Sequence, residues 1–366
     1  MADVLILGGG VIGMMTAREL AQAGVDVTLV ERTACAQESS WAGGGIVSPL
    51  YPWRYFDPVT RLATWSQTSY IHLAQELLEE TGCDPELRQK GMFMVSVSDQ
   101  AEALRWAEEY HRPLQQVSAD FLYSKEPNLC EGLEQALWMP EVASIRNPRL
   151  GQALRRSLEL NPRITLLENH EVVEFARSGS RVTGVKTRNA ELSADQVILA
   201  SGAWAGQLLE QFGVALPVEP VKGQMMVFNA PVGLIDRVVL MDGRYLIPRN
   251  DGRILIGSTL ERAGFDKEVT DEARESLRQS AIDICPALAE VPVEYHWAGL
   301  RPGSPDGVPF IGQLPGVENL YVNAGHFRNG LVLAPASTRL LADLLLERQP
   351  IIDPSLYQLE GRIEQL

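Results

Sequence analysis

Apolar runs and glycines organise the first thirty residues of the chain. Residues 4–7 are apolar without interruption, which is typical of a strand buried on both faces of a parallel sheet. Residues 11–23 follow a glycine cluster, have the apolar spacing of a helix and lead into Gly24, a residue type common just past a helix end. Residues 27–30 form a second apolar run. The order strand, helix, strand predicts a β-α-β unit and hence a parallel sheet.

Three later helices are predicted, two of them from the residues at their starts. A long helix is expected to begin at Pro58 with Asp57 as its cap, and a second follows Asn147, which is also interpreted as a cap. A third helix is expected between residues 270 and 284, inside a region that otherwise alternates.

Two further runs, residues 197–200 and 320–324, are apolar throughout like the first strand. The second of them leads through a glycine-containing loop into a C-terminal helix. Between them, apolar and polar positions alternate with period two, which predicts strands at 221–228, 245–248, 253–257 and 293–300. The sequence therefore predicts an α/β fold, α+β overall, in which an antiparallel sheet is inserted between separate parts of a parallel sheet.

Composition excludes several classes of protein. The chain has 366 residues, 45% of them hydrophobic, and a formal net charge of −15, so it can bury a core, and broad binding to nucleic acid or to an anionic membrane is not expected. No stretch reaches the roughly 18 apolar residues of a spanning helix. The acidic start and four scattered cysteines predict a cytoplasmic protein with free thiols and no metal site.

A glycine motif between the first strand and the first helix carries the first chemical signal. Gly8 permits a tight turn, Gly10 lets backbone N–H groups approach a pyrophosphate, and Gly13 lets the helix pack closely on the sheet. Glu31, at the end of the second strand, is placed to accept hydrogen bonds from ribose hydroxyls and would repel a 2′-phosphate. The motif predicts dinucleotide binding, disfavours NADP, and leaves FAD and NAD both open.

Five segments along the chain decide between these cofactors by resemblance. They are residues 201–204, 221–224, 297–302, 306–312 and 324–330. Together they resemble the FAD-dependent D-amino-acid oxidase and sarcosine oxidase superfamily over essentially the whole chain, and within it the glycine oxidases of thiamine biosynthesis. The resemblance implies noncovalent FAD, because Gly299 stands where some sarcosine oxidases attach the flavin through a cysteine.

The resemblance also implies which residues hold FAD. The cofactor-binding residues would be Gly8, Gly10, Val11, Ile12 and Gly13 near the pyrophosphate, Glu31 and Arg32 at the adenosine ribose, Ser39, Ser40, Gly44, Gly45 and Ile46 at the phosphates and flavin, Val172 at the adenine, and His326, Phe327, Arg328, Asn329, Gly330, Leu331 and Val332 around the isoalloxazine. The C-terminal helix would direct its positive end at the flavin N1–C2=O locus.

Three residues match the family's substrate positions. Arg301 and Arg328 would bind and orient the substrate carboxylate, and Tyr245 would assist them. The implied reaction is oxidative deamination of glycine, with sarcosine and small D-amino acids as further substrates, by hydride transfer from Cα to flavin N5 and reduction of O₂ to H₂O₂.

Other interpretations of these residues and of the whole chain stay open at this point. Arg301 and Arg328 are also compatible with structural contacts, Tyr245 with packing, and His326 with shaping its loop, binding flavin or acting as a base. Residues 51–56 are compatible with a mobile lid or with simple packing. The alternative functions are a D-amino-acid dehydrogenase that passes electrons to a quinone and a noncatalytic flavin-binding redox sensor.

Two domains are expected, interleaved along the chain. The FAD-binding domain is assigned to residues 1–85, 145–216 and 301–366, and the substrate-binding domain to residues 86–144 and 217–300. The expected partners are a small amino acid and O₂, and the resemblance implies a homotetramer.

Overall fold

The computed structural model describes residues 2–366; residue 1, which begins the first predicted domain segment, lies outside the described residues. Its α-helices, numbered along the chain, are α1 (Val11–Gln22), α2 (Ser39–Ala42), α3 (Asp57–Thr81), α4 (Gln100–Glu109), α5 (Ala119–Lys125), α6 (Asn147–Leu160), α7 (Ala205–Leu209), α8 (Asp271–Ile284) and α9 (Gly330–Leu345). Short 3₁₀ turns lie at Pro52–Arg54, Gly202–Trp204, Glu210–Phe212, Pro286–Glu290, Pro305–Gly307, Phe327–Asn329 and Pro354–Leu356.

The strands are β1 (Ala2–Leu7), β2 (Val27–Val30), β3 (Arg88–Gln89), β4 (Met92–Val95), β5 (Gln115–Ser118), β6 (Gln135–Met139), β7 (Ala143–Ser144), β8 (Ile164–Leu167), β9 (Val172–Ser178), β10 (Arg181–Thr187), β11 (Glu191–Leu199), β12 (Val214–Ala215), β13 (Glu219–Asn229), β14 (Val238–Met241), β15 (Arg244–Pro248), β16 (Arg253–Gly257), β17 (Val293–Gly303), β18 (Phe310–Gln313), β19 (Leu320–Ala324) and β20 (Glu364–Gln365).

The first large sheet is parallel at its centre, as the apolar runs predict. Its order is β18-β19-β11-β1-β2-β8, in which every pair is parallel except β18 with β19, and an antiparallel β9–β10 extension continues from β11. Helices α1, α3, α6 and α9 cover one face, where Ile6 packs against Met14 and Leu333. Neighbouring side chains of β1 enter the opposite core, which holds Leu5 and Leu199. This two-sided burial explains why the strands are apolar throughout.

The second large sheet has the order β17-β13-β16-β15-β14-β4-β6-β5. The expectation of a wholly antiparallel sheet needs one correction, because β14 pairs with β4 in parallel. Alternate residues of β13 enter different cores: Met226 and Phe228 face α8, and Met225 packs with Tyr245 on the other side. Successive side chains of β13 therefore alternate between two hydrophobic cores, so both faces of this strand are buried.

Two predicted helix caps are wrong. Asp57 is the first residue of α3, after Phe56, and its carboxylate accepts hydrogen bonds from Arg61 and Tyr110 instead of capping backbone N–H groups. Asn147 is likewise inside α6, and its side-chain amide donates to the Ser40 carbonyl at 2.8 Å. Both side chains are recruited by tertiary partners that a local pattern does not contain.

Within residues 2–366, no helix is both long and apolar enough to cross a membrane.

Candidate active site

A cavity of about 420 Å³ lies between the carboxyl ends of β1, β2 and β11 and the inner face of the antiparallel sheet. Its lining includes every sequence-predicted site residue except Gly13. Gly13 lies behind the lining: a Cβ at that position would lie 1.9 Å from the Gly8 carbonyl oxygen, so this glycine serves the close approach of helix to turn, and its assignment to the cofactor site stays a prediction.

The turn after β1 requires glycine for two measurable reasons. Gly8 has φ +118°, a left-handed conformation that side chains rarely adopt. A Cβ there would also lie 2.5 Å from the carbonyl oxygen of Ala200, at the end of β11. Neighbouring strands thus approach the turn from which α1 begins, and the N-terminus of α1 faces the cavity.

Polar side chains fix the edge of this turn. Glu31 Oε2 accepts the Gly9 N–H at 2.8 Å, and Oε1 accepts the Thr33 N–H at 3.0 Å, so the carboxylate is held at the cavity wall. Ser40 Oγ accepts the Val11 N–H at 2.8 Å. Ser40 therefore satisfies one of the free N–H groups of α1, and the helix contributes its remaining N–H groups and its dipole to the cavity.

Three buried polar atoms on the cavity lining have no hydrogen-bond partner in the described part of the chain. They are Asn147 Oδ1, Ser201 Oγ and Asn329 Nδ2. Buried polar groups in folded proteins are normally paired, so these atoms call for a ligand that carries both donors and acceptors. A dinucleotide has both donors and acceptors on its ribose, phosphates and rings. The glycine turn leaves room for its pyrophosphate.

Arg301, on β17, extends its guanidinium across the antiparallel sheet into the cavity. Nη2 donates to Ser258 Oγ at 2.6 Å, and Nη1 donates to the carbonyls of Thr259 (3.2 Å) and Lys222 (3.4 Å). Burial lowers the pKa of Arg301; the nearby Tyr245 opposes this effect and Arg328 adds to it. A Cβ on Gly223 would lie 2.0 Å from Nη1, so this glycine makes space for the guanidinium.

Tyr245, on β15, lies against the same part of the cavity. Its ring is buried between two glycines: a Cβ on Gly257 would lie 2.6 Å from Cε2, and one on Gly44 would lie 3.2 Å from the same atom. The hydroxyl is 4.0 Å from Met225 Sδ, which is a weak acceptor. The phenol therefore keeps a donor for a ligand in the cavity.

Arg328 lies in the 3₁₀ turn before α9 and is exposed at the cavity wall. Among residues 2–366 it has no salt-bridge partner, so its positive charge is uncompensated by direct contact. Arg301 and Arg328 thus create a local positive field in a chain of net charge −15.

His326 belongs to a buried chain of hydrogen bonds. Its Nε2 lies 2.7 Å from Ser337 Oγ, whose hydrogen is donated to Asn323 Oδ1 at 2.6 Å. The serine has a single hydrogen, so Nε2 must be the donor and His326 carries its proton there. Burial lowers the pKa of His326 to about 3, which makes it a poor proton acceptor near neutral pH. The geometry favours a structural role over a base.

A family profile described as "DAO: FAD dependent oxidoreductase" matches residues 3–344. The chain belongs to the FAD dependent oxidoreductase family. FAD is therefore its cofactor, which decides the choice that the glycine motif left open.

Related proteins match along almost the whole chain. "Glycine oxidase" of Pseudomonas aeruginosa is 55% identical over 360 residues, which cover 98% of this chain and 99% of that protein. "Bifunctional protein ThiO/ThiG" of Synechocystis sp. is 32% identical over 359 residues, covering 95% of this chain and 52% of that protein. The crystal structure of glycine oxidase from Geobacillus kaustophilus superposes with a TM-score of 0.91 at 30% identity and 98% coverage of both chains. The expected α/β fold is confirmed.

Some sarcosine oxidases attach their flavin covalently through a cysteine. The described lining of this cavity has no cysteine that could do so. All four cysteines are free and none lines the cavity. A Cβ at Gly299 would lie 2.5 Å from Ala42 Cβ, so the position has no room for a larger side chain without rearrangement.

Residues 51–56 do not line the cavity of this family member. Both Arg54 Nε and Nη2 donate to Asp99 at 2.6 Å, and Trp53 Nε1 donates to the same carboxylate at 2.7 Å. The Arg54 guanidinium also lies 4.1 Å from the centre of the Tyr51 ring. These contacts favour packing over a mobile lid.

Sequence reasoning missed three groups of the site. The sequence predicts Asn147 only as a helix cap, Ser258 lies in a loop without a motif, and Ser201 belongs only to a segment that carries the family resemblance. For Ser201 a signal was available, because it follows an apolar strand in the same way that the glycine turn follows β1.

Proposed function

We propose that the chain is a glycine oxidase, an FAD-dependent amino-acid oxidase. Glycine, O₂ and water are converted into glyoxylate, ammonia and H₂O₂, with the imine as the first product and its hydrolysis as the second step. The observation that carries the proposal is that Arg301, with Tyr245 and Arg328 near it, lines the same cavity as the dinucleotide motif. The 55% identity to a protein named glycine oxidase supports the choice of substrate.

Arg301 has the right number of free donors for a carboxylate. A guanidinium carries five N–H bonds, and three are used by Ser258, Thr259 and Lys222. Two remain, which is the number that bidentate recognition of a carboxylate needs. Because protein partners hold the other side of the guanidinium, its orientation is fixed before the substrate enters.

The same charges favour the reactive form of the substrate. FAD, when bound, supplies the two-electron acceptor for the hydride from Cα and returns the electrons to O₂. Arg301 and Arg328 near the substrate disfavour its ammonium form relative to the neutral amine, since like charges repel. No side-chain base is then required, in agreement with the low pKa of His326.

An anaerobic titration tests the proposal. The purified yellow protein is mixed with glycine, sarcosine, D-alanine and L-alanine in turn while the flavin spectrum is recorded, and O₂ is then admitted and H₂O₂ is measured. We expect bleaching by glycine and, more weakly, by sarcosine and D-alanine, followed by rapid recolouring with H₂O₂. Bleaching with slow recolouring in O₂ but fast recolouring with a quinone would instead identify a dehydrogenase. No bleaching by any amino acid would leave the redox-sensor alternative.

The remaining assignments are proposals of the same kind. The resemblance supports a homotetramer, which light scattering tests, and the free cysteines fit a cytoplasmic location. A role in thiamine biosynthesis rests on the resemblance and on the relative named ThiO/ThiG. The two interleaved domains also stay a proposal; β17 crosses the boundary drawn between residues 300 and 301.

A further inference from the structure

A proline interrupts the helix that forms one wall of the cavity. Pro335 lies within α9, one turn after its start at Gly330. Proline has no N–H, and its ring crowds the carbonyl four residues earlier, so the Leu331 carbonyl loses its helical partner. The ladder of hydrogen bonds that joins the first turn of α9 to the rest of the helix therefore lacks the bond to Leu331.

Helix α3 supplies a partner for the Leu331 carbonyl and a second contact just beyond Pro335. The Tyr70 hydroxyl donates to the Leu331 carbonyl, and Ser66 Oγ accepts the Ala336 N–H at 2.9 Å. Ser66 and Tyr70 are four residues apart and lie on one face of α3, where their exposed fractions are 0% and 1%. One side chain thus serves each side of Pro335.

The braced turn is the part of α9 that faces the cavity. Leu331 and Val332 line it, as does Gly330, whereas Ser66 and Tyr70 do not. The N-terminus of a helix carries partial positive charge, and that charge acts within about one turn of its end. Its effect on a bound group depends on where the first turn points, and that direction is set by the contacts across Pro335.

We infer that Ser66 and Tyr70 are positioning residues for the flavin reaction. Through the Leu331 carbonyl and the Ala336 N–H they hold the first turn of α9 toward the cofactor, where its positive end stabilises the negative charge gained on reduction. This inference rests on the proposed oxidase function, because only in a redox enzyme does the stability of reduced FAD affect the reaction.

The decisive measurement is the two-electron reduction potential of the bound FAD, obtained by reductive titration against a reference dye with no amino acid present. Tyr70→Phe removes the donor to Leu331, and Ser66→Ala removes the acceptor for Ala336. We expect each change to weaken stabilisation of the reduced state about threefold to tenfold, which lowers the potential by roughly 15–30 mV at 29.6 mV per tenfold change. FAD affinity, measured by fluorescence, should fall in the same variants.

Two further variants separate positioning from general stability. Tyr357→Phe is a matched control, since Tyr357 is fully buried and donates to the Pro58 carbonyl at 2.9 Å but does not line the cavity. It should lower the melting temperature without moving the potential. Pro335→Ala restores an N–H within reach of the Leu331 carbonyl, so in the Tyr70→Phe background it should recover most of the lost potential.

A Tyr70→Phe protein with an unchanged potential and unchanged FAD affinity, but with a melting temperature lowered as in Tyr357→Phe, would overturn the inference. If Tyr70→Phe does not fold, the potential of Ser66→Ala decides alone. Because no substrate enters these measurements, they give a result even if the protein does not oxidise glycine.

Discussion

Arg301 keeps its place because position 223 has no side chain. A Cβ on Gly223 would lie 2.0 Å from Nη1 and 2.4 Å from Cζ of Arg301. We predict that Gly223→Ala displaces the guanidinium and raises KM for glycine at least about tenfold, since a misplaced anchor loses one or more charge-assisted hydrogen bonds of roughly 1.5–3 kcal/mol each. Steady-state kinetics with a flavin spectrum on the same sample measures both KM and FAD content.

Gly179→Ala is a suitable control for that change. Gly179 also has a left-handed backbone, φ +62°, but nothing lies within 4 Å of its Cβ position. It should lose stability and keep its KM. A Gly223→Ala enzyme with a normal KM would show that the guanidinium position does not matter to the substrate.

The charge of Arg301 and the shape of its guanidinium can be separated. We predict that Arg301→Ala raises KM for glycine about 100-fold or more, because two charge-assisted hydrogen bonds together contribute roughly 3–6 kcal/mol. Arg301→Lys should recover only a small part, since an ammonium cannot bind a carboxylate through two parallel bonds. FAD should remain bound in both variants. Equal activity of the lysine variant and the wild type would reject bidentate anchoring.

His326 makes stability depend on pH in the acid range. Its pKa is lowered from 6.5 to about 3 in the folded state. The contribution of the neutral His326 to the free energy of unfolding is therefore complete above pH 6.5 and is lost as the pH falls toward 3. At pH 5 the cost is about 2 kcal/mol relative to neutral pH. We predict that the melting temperature falls less between pH 8 and pH 5 in His326→Gln than in the wild type. His72→Gln is the control, because His72 is exposed and its loss should leave the pH dependence as in the wild type. Parallel plots of melting temperature against pH for His326→Gln and the wild type would contradict a buried, neutral His326.

At the scale of elements, α8 begins with a side-chain cap. Thr270 Oγ1 accepts the Ala273 N–H at 3.3 Å. We predict that Thr270→Ala destabilises the protein by about 1 kcal/mol, the usual cost of losing such a cap, whereas Thr270→Ser keeps the oxygen and most of the stability. Urea unfolding of the three proteins measures the difference. Equal losses in both variants would assign the effect to the methyl group.

Elements were predictable where the pattern and the local chemistry agree. Strand β19 has the predicted bounds, and α8 begins after Thr270 as expected. Strand β14 is not predicted because the region around it is interpreted by its alternation, which these four apolar residues lack, and because its partner β4 lies far back in the chain. The Asn147 cap failed for a similar reason: the side chain bonds to Ser40, which no helix-start rule includes.

At the scale of the whole molecule, the net charge and the charge of the site have opposite signs. Glycine is a zwitterion without net charge near neutral pH, and Arg301 is partly buried, so attraction acts at short range inside the cavity. We predict that kcat/KM changes less than about twofold between low salt and 0.2 M KCl, because only long-range fields are screened at that ionic strength. A tenfold decrease would show that surface charge steers the substrate.

The glycine turn and Glu31 were predictable because one β-α-β unit contains them. The other cavity walls come from β13, β15, β17 and the loop before α9, which only the fold brings together. A resemblance assigned those residues, and no spacing rule could have replaced it. The contacts of Ser66 and Tyr70 across Pro335 could not be predicted for the same reason, since Tyr70 and Leu331 meet only where two helices pack together.

The central position of β1 in its sheet has a consequence for biosynthesis. Val4 pairs with Val27 on one side, soon after both leave the ribosome, but its other neighbour is Gln196 on β11, and β11 in turn needs β19. Such distant pairings are slow to form and leave a strand edge open in the meantime. The nucleotide motif is therefore synthesised long before its site can be complete, because the cavity also needs the ends of β11 and β19, so the yellow colour of bound FAD reports that these distant strands have paired with β1 and with each other.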